Sequence, residues 1–177
     1  MAMEFEIKES SKIKGVFIIT PNKFSDFRGD IFSVWQKEAF KELLPKGLEF
    51  VLDKFTSSKQ NVLRGIHGDE KSWKLVSCVW GEVVQVVVDA RKQSPTYLQW
   101  EKFILNPQDP KLILIPPHFG NAHYATKDSL YFYKWAYEGA YVDAKEQFTL
   151  AYNDKKIGIE WGDIKPILSK RDEELAR

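Results

Sequence analysis

An all-β jelly roll of two packed antiparallel layers is the fold this sequence predicts. Short β-branched and aromatic runs recur along almost the whole chain, turn residues separate them, and helical periodicity is scarce. The runs are Val16–Thr20, Glu49–Phe55, Val62–His67, Leu75–Trp80, Val83–Asp89, Phe103–Leu105, Leu112–Ile115 and Leu130–Trp135. Trp80, Gly81 and Glu82 give a tight hairpin, while Ser94-Pro95 and Asn106–Pro110 mark longer loops. Lys37–Leu44 puts Ala39, Phe40, Leu43 and Leu44 on one side and stops at Pro45, which predicts a short peripheral amphipathic helix. Val83–Asp89 is apolar at nearly every position, so both of its faces should be covered; Trp100–Leu105 mixes charge with apolar residues, as an outer strand does. A small jelly roll of this kind leaves a lumen that takes ligands, so function is expected at the barrel mouth.

At 177 residues with 44% hydrophobic content the chain suits a single domain, residues 1–177, with an adequate core. Its one cysteine, Cys78, rules out an intrachain disulfide. Lys plus Arg total 26 against 25 for Asp plus Glu, so no global field exists to hold nucleic acid or an anionic membrane. The first ten residues lack the basic start and apolar run of a secretory signal, and no apolar run approaches the roughly 20 residues of a spanning helix. The expected location is the cytoplasm.

The chain has three histidines, His67, His118 and His123. A lone His is more often a hydrogen-bonded or surface residue than a catalyst. His67 gains interest from its neighbours Arg64, Gly65 and Ile66 and from Lys74 one hairpin later, since a strand end followed by a strand start can aim both side chains into one lumen. On pattern alone Lys74 is equally well read as a solvated strand residue. A barrel metal site usually needs a His-x-His pair, a carboxylate and a distant His; here Gly68, Asp69 and Glu70 follow His67, and His118 and His123 fall on a Pro-Pro loop. No metal is expected.

Taken in order, several segments form a series: Phe24-Ser25-Asp26-Phe27-Arg28-Gly29, Asn61–His67, Lys74-Leu75-Val76, Gly81-Glu82-Val83, Val88–Arg91, Ser94-Pro95-Thr96, Ile115-Pro116, Tyr133-Lys134, Gly158–Trp161 and Leu168–Asp172. This series resembles the dTDP-4-dehydrorhamnose 3,5-epimerase family of cupins from about Val16 to Asp172. The resemblance implies a homodimeric cupin jelly roll, or double-stranded β-helix, acting without metal or redox cofactor on a nucleotide-diphosphate sugar bearing a 4-keto-6-deoxy ring. It also implies roles. His67 matches the general base, Asp172 the carboxylate that orients it, Tyr133 the acid on the opposite face, and Lys74 the cation at the C4 oxygen. Arg28 and Arg64 match diphosphate contacts, Arg28 reaching across the dimer interface, and Phe24 and Arg171 lie in matched substrate-binding segments.

The chemistry suits these residue types. A ketone acidifies the adjacent C–H, imidazole titrates near neutrality, a phenol delivers a proton while neutral, and an ammonium stabilises the enolate oxygen. Guanidinium groups supply forked donors for a diphosphate.

Departures from the family pattern cluster in the recognition positions. Gly68 and Asp69 replace an aromatic and a Gln, Asn121 replaces the second His with His123 two residues further on, Leu52-Asp53-Lys54 replaces a Gln-Asp-Asn stretch, and Glu138 and Gly139 stand near the paired tyrosines. With the base and acid kept and the pocket rewritten, including Lys54 and Asn121, the expected substrate is a GDP-linked 4-keto-6-deoxy heptose of bacterial capsule or lipopolysaccharide synthesis. Two other readings compete. A cupin 3,4-ketoisomerase moves the carbonyl and needs no acid on the opposite face, which Tyr133 argues against; a noncatalytic sugar-binding module would carry His67, Lys74, Tyr133 and Asp172 only as relics.

Overall fold

The computed structural model describes residues 4–176. Its strands are β1 (Phe5–Glu9), β2 (Phe17–Pro21), β3 (Lys23–Asp26), β4 (Gly29–Phe32), β5 (Phe50–Ser58), β6 (Leu63–Gly68), β7 (Trp73–Trp80), β8 (Val83–Asp89), β9 (Trp100–Leu105), β10 (Leu112–Ile115), β11 (Phe119–Ala125), β12 (Ser129–Ala136) and β13 (Phe148–Thr149). The helices are α1 (Lys37–Phe40) and α2 (Lys170–Leu175). A six-stranded sheet, β1-β2-β10-β7-β12-β5, packs on a five-stranded sheet, β13-β6-β11-β8-β9, and β3 and β4 form a separate hairpin. The ladders are antiparallel throughout.

Alternation along the strands sorts the side chains between lumen and outer faces. On β8, Val83 and Val87 enter the central core with Val76 and Cys78 of β7, Ile113 and Ile115 of β10, and Tyr131 of β12. Val86 and Val88 face the other way and pack with Ile66, Ala122 and Ile157. The apolar character of this strand thus reflects two covered faces, as expected. The outer face of the six-stranded sheet, Leu75, Leu112, Leu114 and Ile19, is covered by Phe40, Leu43, Leu44 and Trp35. β9 is an edge strand, in keeping with its mixed composition.

Several elements differ from expectation. Trp80-Gly81-Glu82, expected as a tight hairpin, instead carries the chain from β7 of the six-stranded sheet to β8 of the five-stranded one, so the turn crosses between the layers and joins strands that do not pair. The helix expected over Lys37–Leu44 is a single turn, Lys37–Phe40, continued as turns. Gln36 supplies no side-chain cap, and the apolar spacing is satisfied by packing of Ala39, Phe40, Leu43 and Leu44 on the sheet rather than by continued helix. The Pro-Pro loop ends at His118, and the next residues form β11, a fully buried strand between β6 and β8, so His123 lies in a strand and not in a loop. Its small and polar residues, Gly120, Asn121, Ala122 and His123, hide a strand signal that normally rests on β-branched content. The Phe24–Gly29 motif is the tip of the β3–β4 hairpin.

Candidate active site

At one end of the lumen a cavity of about 570 Å³ collects side chains from both sheets. β6 contributes Leu63, Arg64 and His67, and β11 contributes Asn121; facing them are Lys54 and Thr56 of β5, Lys74 of β7, and Tyr133 and Trp135 of β12. Tyr141, Asp143, Ala144 and Gln147 from the loop after β12, and Leu168, Ser169 and Asp172 at the start of α2, close the rim.

Two glycines shape β6. Gly65 has φ +125°, and a Cβ there would meet Ala122 Cβ and the Asn121 carbonyl at 2.6 Å, so β6 and β11 close together only around glycine. At Gly68 a Cβ would fall 2.2 Å from the Phe148 ring and 2.3 Å from the Phe119 carbonyl. Phe148 therefore occupies the space a side chain at position 68 would need, which gives the departure from an aromatic there a local cause.

His67 Nε2 and Asp172 Oδ1 lie 2.6 Å apart. Ser169 caps α2 by accepting from the Asp172 N–H, and its hydroxyl donates to Asp172 Oδ2 at 2.8 Å, fixing the carboxylate plane. Burial raises the Asp172 carboxyl, but the hydrogen bond and charge of His67, the Ser169 hydroxyl and the Gly65 N–H outweigh it and hold the group below the ordinary carboxylate range. An ionised carboxylate only accepts, so Nε2 carries a proton and donates it to Asp172.

Opposite His67, Tyr133 packs edge-on to Tyr131 and tilted against Trp135. Burial pushes its phenol well above the ordinary value, opposed by Arg64, so it stays protonated and able to donate. Lys74 is 4% exposed, with Nζ 3.0 Å from Asp69 Oδ2 and 4.6 Å above the Trp135 ring. Lys54 donates to the Tyr141 hydroxyl at 2.6 Å.

Beneath the cavity lies a buried polar layer. The Tyr131 hydroxyl donates to Gln85 Oε1, and Gln85 Nε2 donates to Asn121 Oδ1 at 2.5 Å. His123 is fully buried and stacks on Tyr131 with centroids 4.0 Å apart. Burial, then the charges of Arg64 and His67, push it down to about 3, so it is neutral. The two lumen histidines thus differ in kind: one is tied to a carboxylate and open to the cavity, the other is an aromatic filler.

The dTDP-4-dehydrorhamnose 3,5-epimerase family matches residues 10–177. The chain belongs to this family. A dTDP-4-dehydrorhamnose 3,5-epimerase of Salmonella typhimurium is 36% identical over 153 residues, covering 84% of this chain and 82% of that protein. A dTDP-4-dehydrorhamnose 3-epimerase of Streptomyces niveus is 31% identical, covering 92% and 79%. Among solved structures, the dTDP-6-deoxy-D-glucose-3,5-epimerase of Legionella pneumophila in complex with dTDP-4-keto-L-rhamnose aligns with TM-score 0.87 at 32% identity, covering 97% of this chain and 92% of that one. The 3'-monoepimerase ChmJ of Streptomyces bikiniensis in complex with dTDP-quinovose aligns with TM-score 0.85 at 28% identity, covering 95% and 86%. Family membership makes the chain an isomerase and the jelly roll a cupin epimerase fold.

Of the residues singled out in the sequence, His67, Lys74, Tyr133, Asp172, Arg64, Lys54 and Asn121 all line this cavity. Phe24 and Arg28 do not; they sit on the β3–β4 hairpin, where Arg28 is exposed and pairs with Asp26 at 2.5 Å. Arg171 does not line it either: it donates to the Gln147 carbonyl at 2.8 Å and so ties α2 to the rim loop. Sequence reasoning missed Asp69 as a partner of Lys74, the Gln85–Tyr131 layer, and Trp135 and Tyr141. Alternation on β12, where Tyr131, Tyr133 and Trp135 share a face, is the signal that could have found Trp135.

Proposed function

We propose that this protein epimerises a nucleotide-linked 4-keto-6-deoxy sugar next to its ketone, through an enolate, with His67 as base and Tyr133 as acid. The observation that carries the reading is the His67–Asp172 contact of 2.6 Å in a cavity that Lys74 and Tyr133 enter from the facing sheet. His67 removes the acidified proton, the Lys74 ammonium balances the charge developing on the C4 oxygen, and Tyr133 protonates the carbanion carbon from the other side, which inverts it. Arg64 and, from a second copy, Arg28 hold the diphosphate. No metal or redox cofactor takes part.

The preferred substrate is a GDP-linked 4-keto-6-deoxy heptose used in bacterial capsule or lipopolysaccharide synthesis, in the cytoplasm. Its support is that Lys54 and Asn121, which line the cavity, depart from the family pattern while the proton-transfer residues match. Proton NMR in heavy water, with GDP-, CDP- and dTDP-linked 4-keto-6-deoxy sugars, tests both parts. Ring-proton exchange with inversion, fastest on the GDP-linked heptose, is expected. A moved carbonyl would identify a ketoisomerase, binding without exchange a sugar-binding module, and fastest turnover of the dTDP-linked hexose would overturn the GDP preference.

The working unit is a homodimer. The reading is supported by the hairpin tip, where Phe27 is 98% and Ile31 70% exposed, and by the edge strand β5, where Val51 and Phe55 are also exposed. If Arg28 serves the partner's cavity, mixing Arg28→Ala with His67→Asn subunits reassembles intact sites in mixed dimers. At equal amounts and low substrate, activity should recover to about a quarter of the unmutated protein's. No recovery, with mixed dimers demonstrated by mass spectrometry, would place Arg28 outside the partner's site.

A further inference from the structure

Lys74 poses a problem of charge. It is 4% exposed, deep in the lumen, where an ammonium loses most of its hydration. The charges and dipoles around it come from several elements: Lys54 on β5, His67 on β6, Tyr133 and Trp135 on β12, and Asp172 on α2 share its cavity, and Lys54 adds a repelling charge. Only Asp69, in the turn between β6 and β7, forms an ion pair with it among the described residues. Asp69 is itself 4% exposed, and its two carboxylate oxygens divide the work. Oδ1 accepts the N–H groups of Lys71 at 3.1 Å and Ser72 at 2.6 Å, locking the turn, while Oδ2 stands 3.0 Å from Lys74 Nζ.

We propose that Asp69 is a positioning residue that keeps Lys74 protonated and aimed at the substrate's C4 oxygen. The inference rests on the epimerase reading, in which a neutral Lys74 could not balance an enolate. Burial pushes the Lys74 ammonium below its ordinary value and Asp69 opposes that, while Lys74 and the Ser72 contacts hold the Asp69 carboxyl low against its own burial. Replacing Asp69 leaves the burial and Lys54 unopposed, so Lys74 should lose its proton at lower pH.

The test needs no substrate in its first arm. Protein carrying 13C at the lysine ε-carbons is titrated by NMR, with Lys74 assigned by the peak lost in Lys74→Met. Asp69→Asn, which preserves the turn-locking acceptor, is expected to move the Lys74 titration to lower pH, and Asp69→Glu to restore it in part. In the unmutated protein the Lys74 resonance is expected to show a second inflection on acidification, as Asp69 takes up its proton, so the proposal is exposed even if the Asn variant does not fold. A Lys74 resonance blind to Asp69 in both measurements would overturn it. In the second arm, solvent exchange into a 4-keto sugar should fall about tenfold or more at pH 8 in Asp69→Asn and recover toward the unmutated rate at pH 6. A loss equal at both pH values would make Asp69 merely structural. Absence of exchange in the unmutated protein would instead defeat the epimerase reading and leave the titration result standing.

Discussion

His67→Asn is expected to lower solvent-proton exchange into the 4-keto sugar by about 10²- to 10⁴-fold, the cost of losing a general base. Asparagine keeps a polar group near Asp172 but has no basic nitrogen, so the loss isolates proton abstraction from binding. Inhibition by the nucleoside diphosphate should be unchanged, since the diphosphate contacts are assigned to arginines. Asp172→Asn should act on the same step less completely. It removes the charge 2.6 Å from Nε2 and leaves a neutral side chain able to keep either imidazole tautomer, so the base survives but is poorly poised. Near-normal exchange in His67→Asn would remove this residue from the mechanism.

Tyr133→Phe should separate two quantities that fall together in most active-site variants. His67 still forms the enolate and can return the proton to the face it came from, so deuterium enters the sugar while configuration is retained. Inversion is expected to drop by about 10²-fold or more, the range for a missing general acid, with exchange much less affected. If Tyr133 only packs against Tyr131 and Trp135, Phe keeps those ring contacts and both rates stay near normal. Unimpaired inversion would exclude the acid role. The positions at which deuterium appears would also separate inversion at C3 alone from inversion at C3 and C5.

The two-layer jelly roll was legible because its strands alternate or are apolar throughout, patterns that follow directly from which faces are covered. What escaped were elements whose signal lies elsewhere. On β11 the outward-facing Gly120 and Ala122 are small because β6 approaches closely at Gly65 and Ile66, while Asn121 and His123 face the lumen, and this mix of small and polar residues reads as loop. α2 announces itself only through Ser169 capping at Asp172. The cavity residues came from an ordered resemblance rather than from periodicity, and that route was blind wherever this chain departs from its family. Asp69 shows the limit: as a replaced residue it registered as a difference in recognition, whereas its buried oxygens touch Lys74 and a turn.

His67 stands on the five-stranded sheet and Tyr133 on the six-stranded one. Facing sheets in a sandwich are held about 10 Å apart by the residues between them, so the gap between the His67 and Tyr133 side chains is a property of the core, set by side chains such as Val87, Ile113 and Cys78. On the proposed mechanism, a sugar ring slotted into that gap has its two faces read by opposite walls. The ratio of inverted to retained product then becomes a gauge of wall separation. Enlarging or trimming these remote residues should alter stereochemical fidelity before it alters binding, an evolutionary dial that leaves the reacting groups untouched.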